Sequence, residues 1–405
     1  MKTWNHIRPK TARELGIMAG FPPPPEKQPS GDNWDLPPFN RWSFQNMRSL
    51  FPTVDVYRGT GPVSAFDTDE VALLELNFTN TAGENRTIAQ FLDETYTDAL
   101  LVYQGGKIRH ESYYNDMAPE TPHLSQSVAK SVVGAVAGIL NGRGIVDLDA
   151  PMQVYVPELA ACGYGDATLT HVLNMQSGVR FVEDYGAPES DMTRIDVAAG
   201  WRPAAPGAPY QSIRDVILTL PKQRPHGQQF EYRSIETDVA AWVLERVTGT
   251  PLAELVSREI WQPMGAQRDG FFTIDRAGTA LADGGFNATL RDYARFGRLF
   301  LEPKSGVVPH SWIAGTGRGE AEKFGAPYTD VTPDGAYRNF WWIRDNARGD
   351  IAARGVFGQL IYVDRASDLM VVKLSSWPDY LIYQFTLDTF RAIDTIRAAL
   401  VPDTK

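Results

Sequence analysis

From Ser127 to Leu140 the chain reads Ser-Val-Ala-Lys-Ser-Val-Val-Gly-Ala-Val-Ala-Gly-Ile-Leu, and no residue after Ser131 in this run is polar. The pattern predicts a helix closed by Asn141-Gly142 as its C-cap. A helix that is apolar on every side has no face to give to water, so it must lie in the middle of a domain with other elements wrapped around it. A chain of 405 residues, 43% of them hydrophobic, has enough material to build that wrapping.

The surrounding patterns say what does the wrapping. Ala99-Leu100-Leu101-Val102-Tyr103, a Gly105-Gly106 turn and Lys107 to Tyr114 predict a β-hairpin. Gly358 to Val363 and Leu369 to Leu374, separated by Asp364-Arg365-Ala366-Ser367-Asp368, predict a second hairpin near the other end. Between them helices are expected over Thr168–Met175, Thr237–Val247, Pro251–Ile260 and Arg291–Leu301, with a last one over about Leu381–Ala399. Strands at both ends and helices in the middle make the fold class α+β with a helical insertion. The first 55 residues read as an irregular arm. Pro22-Pro23-Pro24-Pro25 must be extended, and Trp34, Phe39, Trp42 and Phe44 would hold the arm against the body.

Ser127-Val128-Ala129-Lys130 is the only Ser-x-x-Lys in the chain. On the first turn of a helix this spacing puts hydroxyl and ammonium on one face. A serine nucleophile needs a base, and burial in an apolar helix is expected to make the lysine give up its proton more easily. The helix N-terminus also aims backbone N–H groups at any negative charge that develops beside it.

The blocks His123 to Ser131, Gly144 to Pro151 and Thr168 to Val179 resemble the penicillin-recognising serine hydrolases: class C β-lactamases, DD-peptidases and related esterases. Phe230-Glu231-Tyr232-Arg233-Ser234 before Thr237-Asp238, and the closing Val372 to Asp379, are most similar to the nylon-oligomer (6-aminohexanoate-dimer) hydrolases within that superfamily. The resemblance runs from about residue 95 to the C-terminus. It implies a β-lactamase/transpeptidase-like fold, with an antiparallel sheet flanked by helices and a mainly helical inserted half. The expected division is an N-terminal extension (1–55), an α/β half (56–126 and 265–405) and a helical half (127–264).

The chemistry it implies is an acyl-enzyme route without cofactor or metal. Ser127 would attack a carbonyl, Lys130 would take or relay its proton, and Tyr232 would protonate the leaving group. The N–H groups of Ser127 and Val356 would hold the oxyanion. Tyr185, Asp196 and Asp283 stand at positions that resemble substrate contacts, with Asp283 a partner for a substrate ammonium; Phe357 is counted with them as a pocket residue, and Trp341 and Trp342 would either floor the pocket or join the core. The third box departs from the β-lactamase pattern. Its Lys-[Thr/Ser]-Gly is here Ala353-Arg354-Gly355, so the lysine that helps hold a substrate carboxylate is absent, and Phe357 stands where the nylon-oligomer enzymes carry a histidine. Arg354 offers another positive charge if strand alternation turns it towards the pocket.

Other classes have less support. No Gly-x-Ser-x-Gly elbow occurs, and the six histidines form neither His-x-His nor His-Glu-x-x-His. His171 reads as structural. A single cysteine, Cys162, allows neither an internal disulfide nor a thiolate cluster. A net charge of -10 argues against nucleic acid as partner. No run is apolar and long enough for a membrane, and Met1 to Arg8 lack the apolar stretch of a secretory signal, so a cytoplasmic location is expected. The expected substrates are small amides or esters. Two alternatives stand beside this: a β-lactamase or DD-peptidase-like enzyme, and a catalytically silent binding or sensor module. A homodimer is expected only on the general preference of soluble enzymes for twofold symmetry.

Overall fold

A computed structural model describes residues 8–303 and 306–401; Met1–Ile7, part of the stretch read for a secretory signal, lies outside them. Its largest sheet has eight strands among the described residues, in the spatial order Ala336–Arg338, Trp341–Asp345, Asp350–Gly355, Gln359–Asp364, Leu369–Ser375, Thr97–Gln104, Lys107–Tyr113 and Asp67–Thr68. Neighbours are antiparallel except for the last pair, which is parallel. The two expected hairpins are both present, and the strands Thr97–Gln104 and Leu369–Ser375 pair directly, with Leu101 opposite Val372. Sequence ends thus meet in the centre of the sheet.

Period-two alternation divides this sheet into two apolar faces. Leu101, Met370, Val372 and Leu374 join the large core around the Val128–Gly142 helix. Leu100, Val102, Leu369 and Val371 face a second layer made by Ile88, Phe91 and Leu92 of one helix and Phe390, Ile393 and Ile396 of the C-terminal helix. The i, i+3, i+6 spacing of those last three is the apolar stripe that docks the C-terminal helix.

The Val128–Gly142 helix is central, as its composition demands: every residue from Val128 to Leu140 is buried. Six of these are Val, Ile or Leu, each stabilising by about 1.5–3 kcal/mol when fully buried. Its glycines allow close approach. A Cβ on Gly134 would lie 2.5 Å from the Asn339 carbonyl oxygen, and one on Gly138 would lie 2.4 Å from the Trp312 ring. The expected stop is displaced. Gly142 remains helical and the positive φ of the terminating turn falls on Gly144.

Other boundaries moved for local reasons. The helix expected at Pro251–Ile260 is Leu252–Val256 followed by a wider π turn, Ser257–Trp261. The C-terminal helix starts at Tyr383, because Ile382 is still extended, which leaves Leu381 half exposed. Thr168 and His171 form a capping box at Leu169–Leu173, a structural role for that histidine. Two sheet strands (Ala336–Arg338, Trp341–Asp345) and the helix Asp191–Ala198 have no counterpart among the expected elements, while Asp350–Gly355 is the strand on which Arg354 was expected.

The N-terminal arm is packed on the body. Trp34 is buried, meets Phe44, Phe51 and Trp201 edge-on, and donates its indole N–H to the Trp201 carbonyl at 3.0 Å. Arg41 reaches through to Asp98 at 2.9 Å, and Asp98 also meets His123 at 3.0 Å. Burial alone would raise the Asp98 pKa. Arg41 and His123 outweigh it and hold the carboxylate below its usual range.

Candidate active site

A four-stranded sheet of Thr53–Val56, Gly270–Thr273, Phe286–Ala288 and His123–Leu124 delivers the chain to Ser127. Ser125 N–H still bonds the Phe286 carbonyl at 2.8 Å; Gln126 then takes a left-handed φ of 48°, and the helix begins. Ser127 is the N-cap residue, but its side chain makes no capping bond, so the hydroxyl is left for other partners. One turn later Lys130 is almost completely buried. Its ammonium donates to Ser127 Oγ at 2.9 Å and to the Asp283 carbonyl oxygen at 2.6 Å.

Tyr232 faces the same ammonium, with Lys130 Nζ 5.3 Å from its ring centroid. The tyrosine lies in the non-helical segment just before the helix Ile235–Thr248. Glu231 N–H bonds the Met175 carbonyl at 2.9 Å, Tyr232 N–H donates to the Tyr328 hydroxyl at 3.0 Å, and the Tyr232 ring stacks on Trp342 at 5.3 Å. Beneath it, buried Arg233 bonds Glu231 and faces Glu236, whose pKa burial pushes up to about 8 against the pull of Arg233.

Electrostatics correct one expectation. Burial does pull the Lys130 pKa down, but the negative charges around it, that of Tyr232 once ionised and those of Asp283, Glu183 and, once ionised, Asp238, pull it up by more, so the amine is held above its ordinary value. Burial also raises the Tyr232 phenol, with Lys130 opposing. The resting pair is therefore an ammonium beside a neutral phenol.

Glu183 was not among the expected site residues, yet it lines the cavity that opens on Ser127 and Tyr232. It accepts from the Tyr185 hydroxyl at 2.6 Å, the Ser234 hydroxyl at 2.5 Å and Ser234 N–H at 2.8 Å. It therefore ties the Tyr185 loop to the residue two places after Tyr232. The only sequence signal was a carboxylate two residues before Tyr185.

The third box closes the site from the other side. Gly355 approaches so closely that a Cβ would lie 2.6 Å from the Ser125 carbonyl oxygen. Val356, Trp342, Tyr185 and Arg354 line the same cavity, of about 430 Å³. Trp341 and Trp342 have parted: Trp341 is in the core against Phe296 and Phe300, while Trp342 faces the cavity. Phe357 does not face it. With φ at 61° its side chain turns into the core, 5.1 Å from Phe44, and the backbone N–H bonds the Tyr380 carbonyl.

Neither Asp196 nor Asp283 lines the cavity. Burial raises Asp196 well above the carboxylate range, Arg202 opposing, while Arg202 itself pairs with Asp35 of the arm at 2.6 Å. The Asp283 carboxyl is buried, one of its oxygens has no hydrogen-bond partner, and burial lifts its pKa to about 6. Asp283 serves the site through its backbone carbonyl on Lys130 and through its charge. Among the described residues no group of three or more His, Cys, Asp or Glu is placed to hold a metal ion.

The Beta-lactamase family pattern matches residues 85–387. The chain belongs to that family. A 6-aminohexanoate-dimer hydrolase from Paenarthrobacter ureafaciens is 36% identical over 400 residues, covering 95% of this chain and 97% of that one. Esterase EstB from Burkholderia gladioli is 26% identical over 227 residues, 52% of this chain and 55% of that one. A solved structure from Bacillus anthracis, provisionally assigned as a 6-aminohexanoate-dimer hydrolase, superposes with a TM-score of 0.85 at 26% identity over 94% of this chain and 100% of that one. The β-lactamase/transpeptidase-like fold and the serine-hydrolase class are those of this beta-lactamase family member. No described helix is long and apolar enough to cross a membrane.

Proposed function

We propose that the protein hydrolyses short linear amides of the 6-aminohexanoate-dimer kind, and small acyl esters, through an acyl-enzyme on Ser127. The observation that carries this is the 2.9 Å bond from Lys130 Nζ to Ser127 Oγ, with the Tyr232 phenol against the same ammonium. Because Lys130 is held protonated, its part is to stabilise negative charge. The base is Tyr232 in its minor phenolate form, favoured by the adjacent cation.

Ser127 Oγ loses its proton to the phenolate and bonds to the carbonyl carbon, and the oxyanion rests on the N–H groups of Ser127 and Val356. Tyr232 then passes that proton to the departing amine or alkoxide as the carbonyl carbon releases it. Water, deprotonated by the regenerated phenolate, attacks the acyl carbon; the proton returns to Ser127 Oγ and the acid leaves. A β-lactamase or DD-peptidase reading has less support, because Ala353 takes the place of the third-box lysine and is packed in the core.

The test is intact mass after brief mixing with p-nitrophenyl acetate, followed by incubation with the 6-aminohexanoate dimer. An acetyl adduct on the wild type that is absent in Ser127→Ala, together with release of 6-aminohexanoate, is the expected result. An adduct that persists in Ser127→Ala would assign the nucleophile elsewhere.

A further inference from the structure

The cavity does not end at Ser127. It continues past Gly355 onto the outer face of the sheet, where Tyr383, Thr386, Thr389 and Phe390 of the C-terminal helix form its wall. Arg354 is the cation of this compartment. Ala353 belongs to the inner core, and Ala352 to the outer layer with Phe390. Alternation therefore sets Arg354 on the outer face, opposite to the side on which a third-box lysine at position 353 would lie.

Arg354 has no protein anion. Among the described residues its side chain makes no hydrogen bond or ion pair; its guanidinium lies 4.9 Å from the Trp342 ring centroid and 5.8 Å from that of Phe390. The arginines nearby on this side of the molecule are all engaged: Arg344 with Asp394, Arg348 with Asp364 and Arg397 with Asp394. The carboxylates that line the cavity, Glu183 and Asp184, belong to the Tyr185 loop, and Glu183 is occupied by Tyr185 and Ser234. Thr386 and Thr389 donate their hydroxyl protons to the carbonyls of Ile382 and Phe385 in their own helix, so they do not compensate a cation. Burial lowers the Arg354 pKa to about 10, which leaves it charged at neutral pH, and the residue is only partly exposed, at the cavity wall. A planar guanidinium in that state is the partner of a carboxylate.

Resting on the hydrolase reading above, we propose that the leaving half of the substrate ends in a carboxylate and that Arg354 receives it in the compartment under the C-terminal helix. The leaving side is indicated by Trp342, which stacks on Tyr232, the group that protonates the departing amine, and also carries Arg354. The Trp342 ring centroid is 5.3 Å from that of Tyr232 and 4.9 Å from the Arg354 guanidinium, so proton donor and cation are no more than about 10 Å apart. A leaving group of a few methylenes between amine and carboxylate matches that span.

The experiment is calorimetry on the full-length Ser127→Ala protein, which binds without turnover, using 6-acetamidohexanoate and its isosteric carboxamide. Arg354 as receptor predicts that the carboxylate binds at least tenfold more tightly. The ratio falls to within about threefold in the double variant with Arg354→Gln and is partly restored with Arg354→Lys. Because each ratio is taken within one protein, a change in folded fraction cancels. Equal affinity for the two ligands in Ser127→Ala, or a ratio that survives Arg354→Gln, overturns the proposal. The hydrolase reading fails separately: a wild type that releases no nitrophenol refutes the chemistry, while the binding ratio still decides the role of Arg354.

Discussion

Replacing Lys373 by methionine should stabilise the protein, and by an amount that depends on pH. Lys373 stands in the middle of the sheet, about 1% exposed, with its ammonium donating only to Ser375 Oγ and lying 5.7 Å from the ring centroids of both Phe91 and Trp377. Burial lowers its pKa from 10.5 to about 7, with Asp98 opposing and Arg41 adding to the fall. Between about pH 7 and 10.5 the unfolded chain holds a proton that the folded chain has lost, so stability rises with pH across this window. The slope is about 1.4 kcal/mol per pH unit, or about 3 kcal/mol from pH 7 to 9. Below pH 7 both states are protonated and the full cost of burying the charge is present. Removal of such a buried charge in favour of a well-packed apolar group stabilises by about 1–4 kcal/mol. Lys373→Met should therefore show its largest gain at pH 6.5, and that gain should shrink by about 3 kcal/mol at pH 9. Equilibrium urea titrations of both proteins, followed by tryptophan fluorescence at the two pH values, measure the difference of differences. A gain that is the same at pH 6.5 and 9 would refute the reasoning.

The remaining predictions concern the site and its supports. Ser127→Ala should lower kcat for p-nitrophenyl acetate by about 10³-fold or more with the fold retained, as judged by circular dichroism. With ammonium and phenol as the resting pair, kcat/KM should climb about tenfold per pH unit between pH 7 and 9 as the reactive singly deprotonated form grows; a flat profile would exclude Tyr232 phenolate as the base. Asp283→Asn removes one of the charges that raise the Lys130 pKa, so it should move that alkaline limb to lower pH, and a limb that stays in place would disconnect Asp283 from the pair. Asp98→Ala leaves Arg41 buried and unpaired, at a cost of about 3–5 kcal/mol in urea titrations, and should expose the N-terminal arm to limited proteolysis.

Much of the local structure was legible in the residues. The Ser127 helix, both hairpins and the capped helix at Thr168 follow from periodicity and stop signals within a few residues, and those are the interactions a sequence spells out directly. The juxtaposition of Ser127 and Lys130 was legible for the same reason, since three residues make most of a helical turn. The family followed because its blocks stand in order along the chain. The strands from Ala336 to Gly355 were less visible, since they are short and their burial does not alternate cleanly along the chain.

What only the tertiary structure decided depends on elements distant in sequence. Glu183 joined the site because Ser234 and Tyr185 converge on it, and Asp283 joined it through a backbone carbonyl that no side-chain motif encodes. Phe357 left it because a left-handed φ turned the side chain into the core. Burial by itself argued for a neutral Lys130, and the charges assembled around it reversed the sign. Arg354 faces the cavity because the C-terminal helix covers the outer face of its strand, while Phe357 and Ala353 are claimed by the inner core. Sequence sets spacing within a turn or a strand; the charge state of a buried group and the face it meets are set by what packs around it.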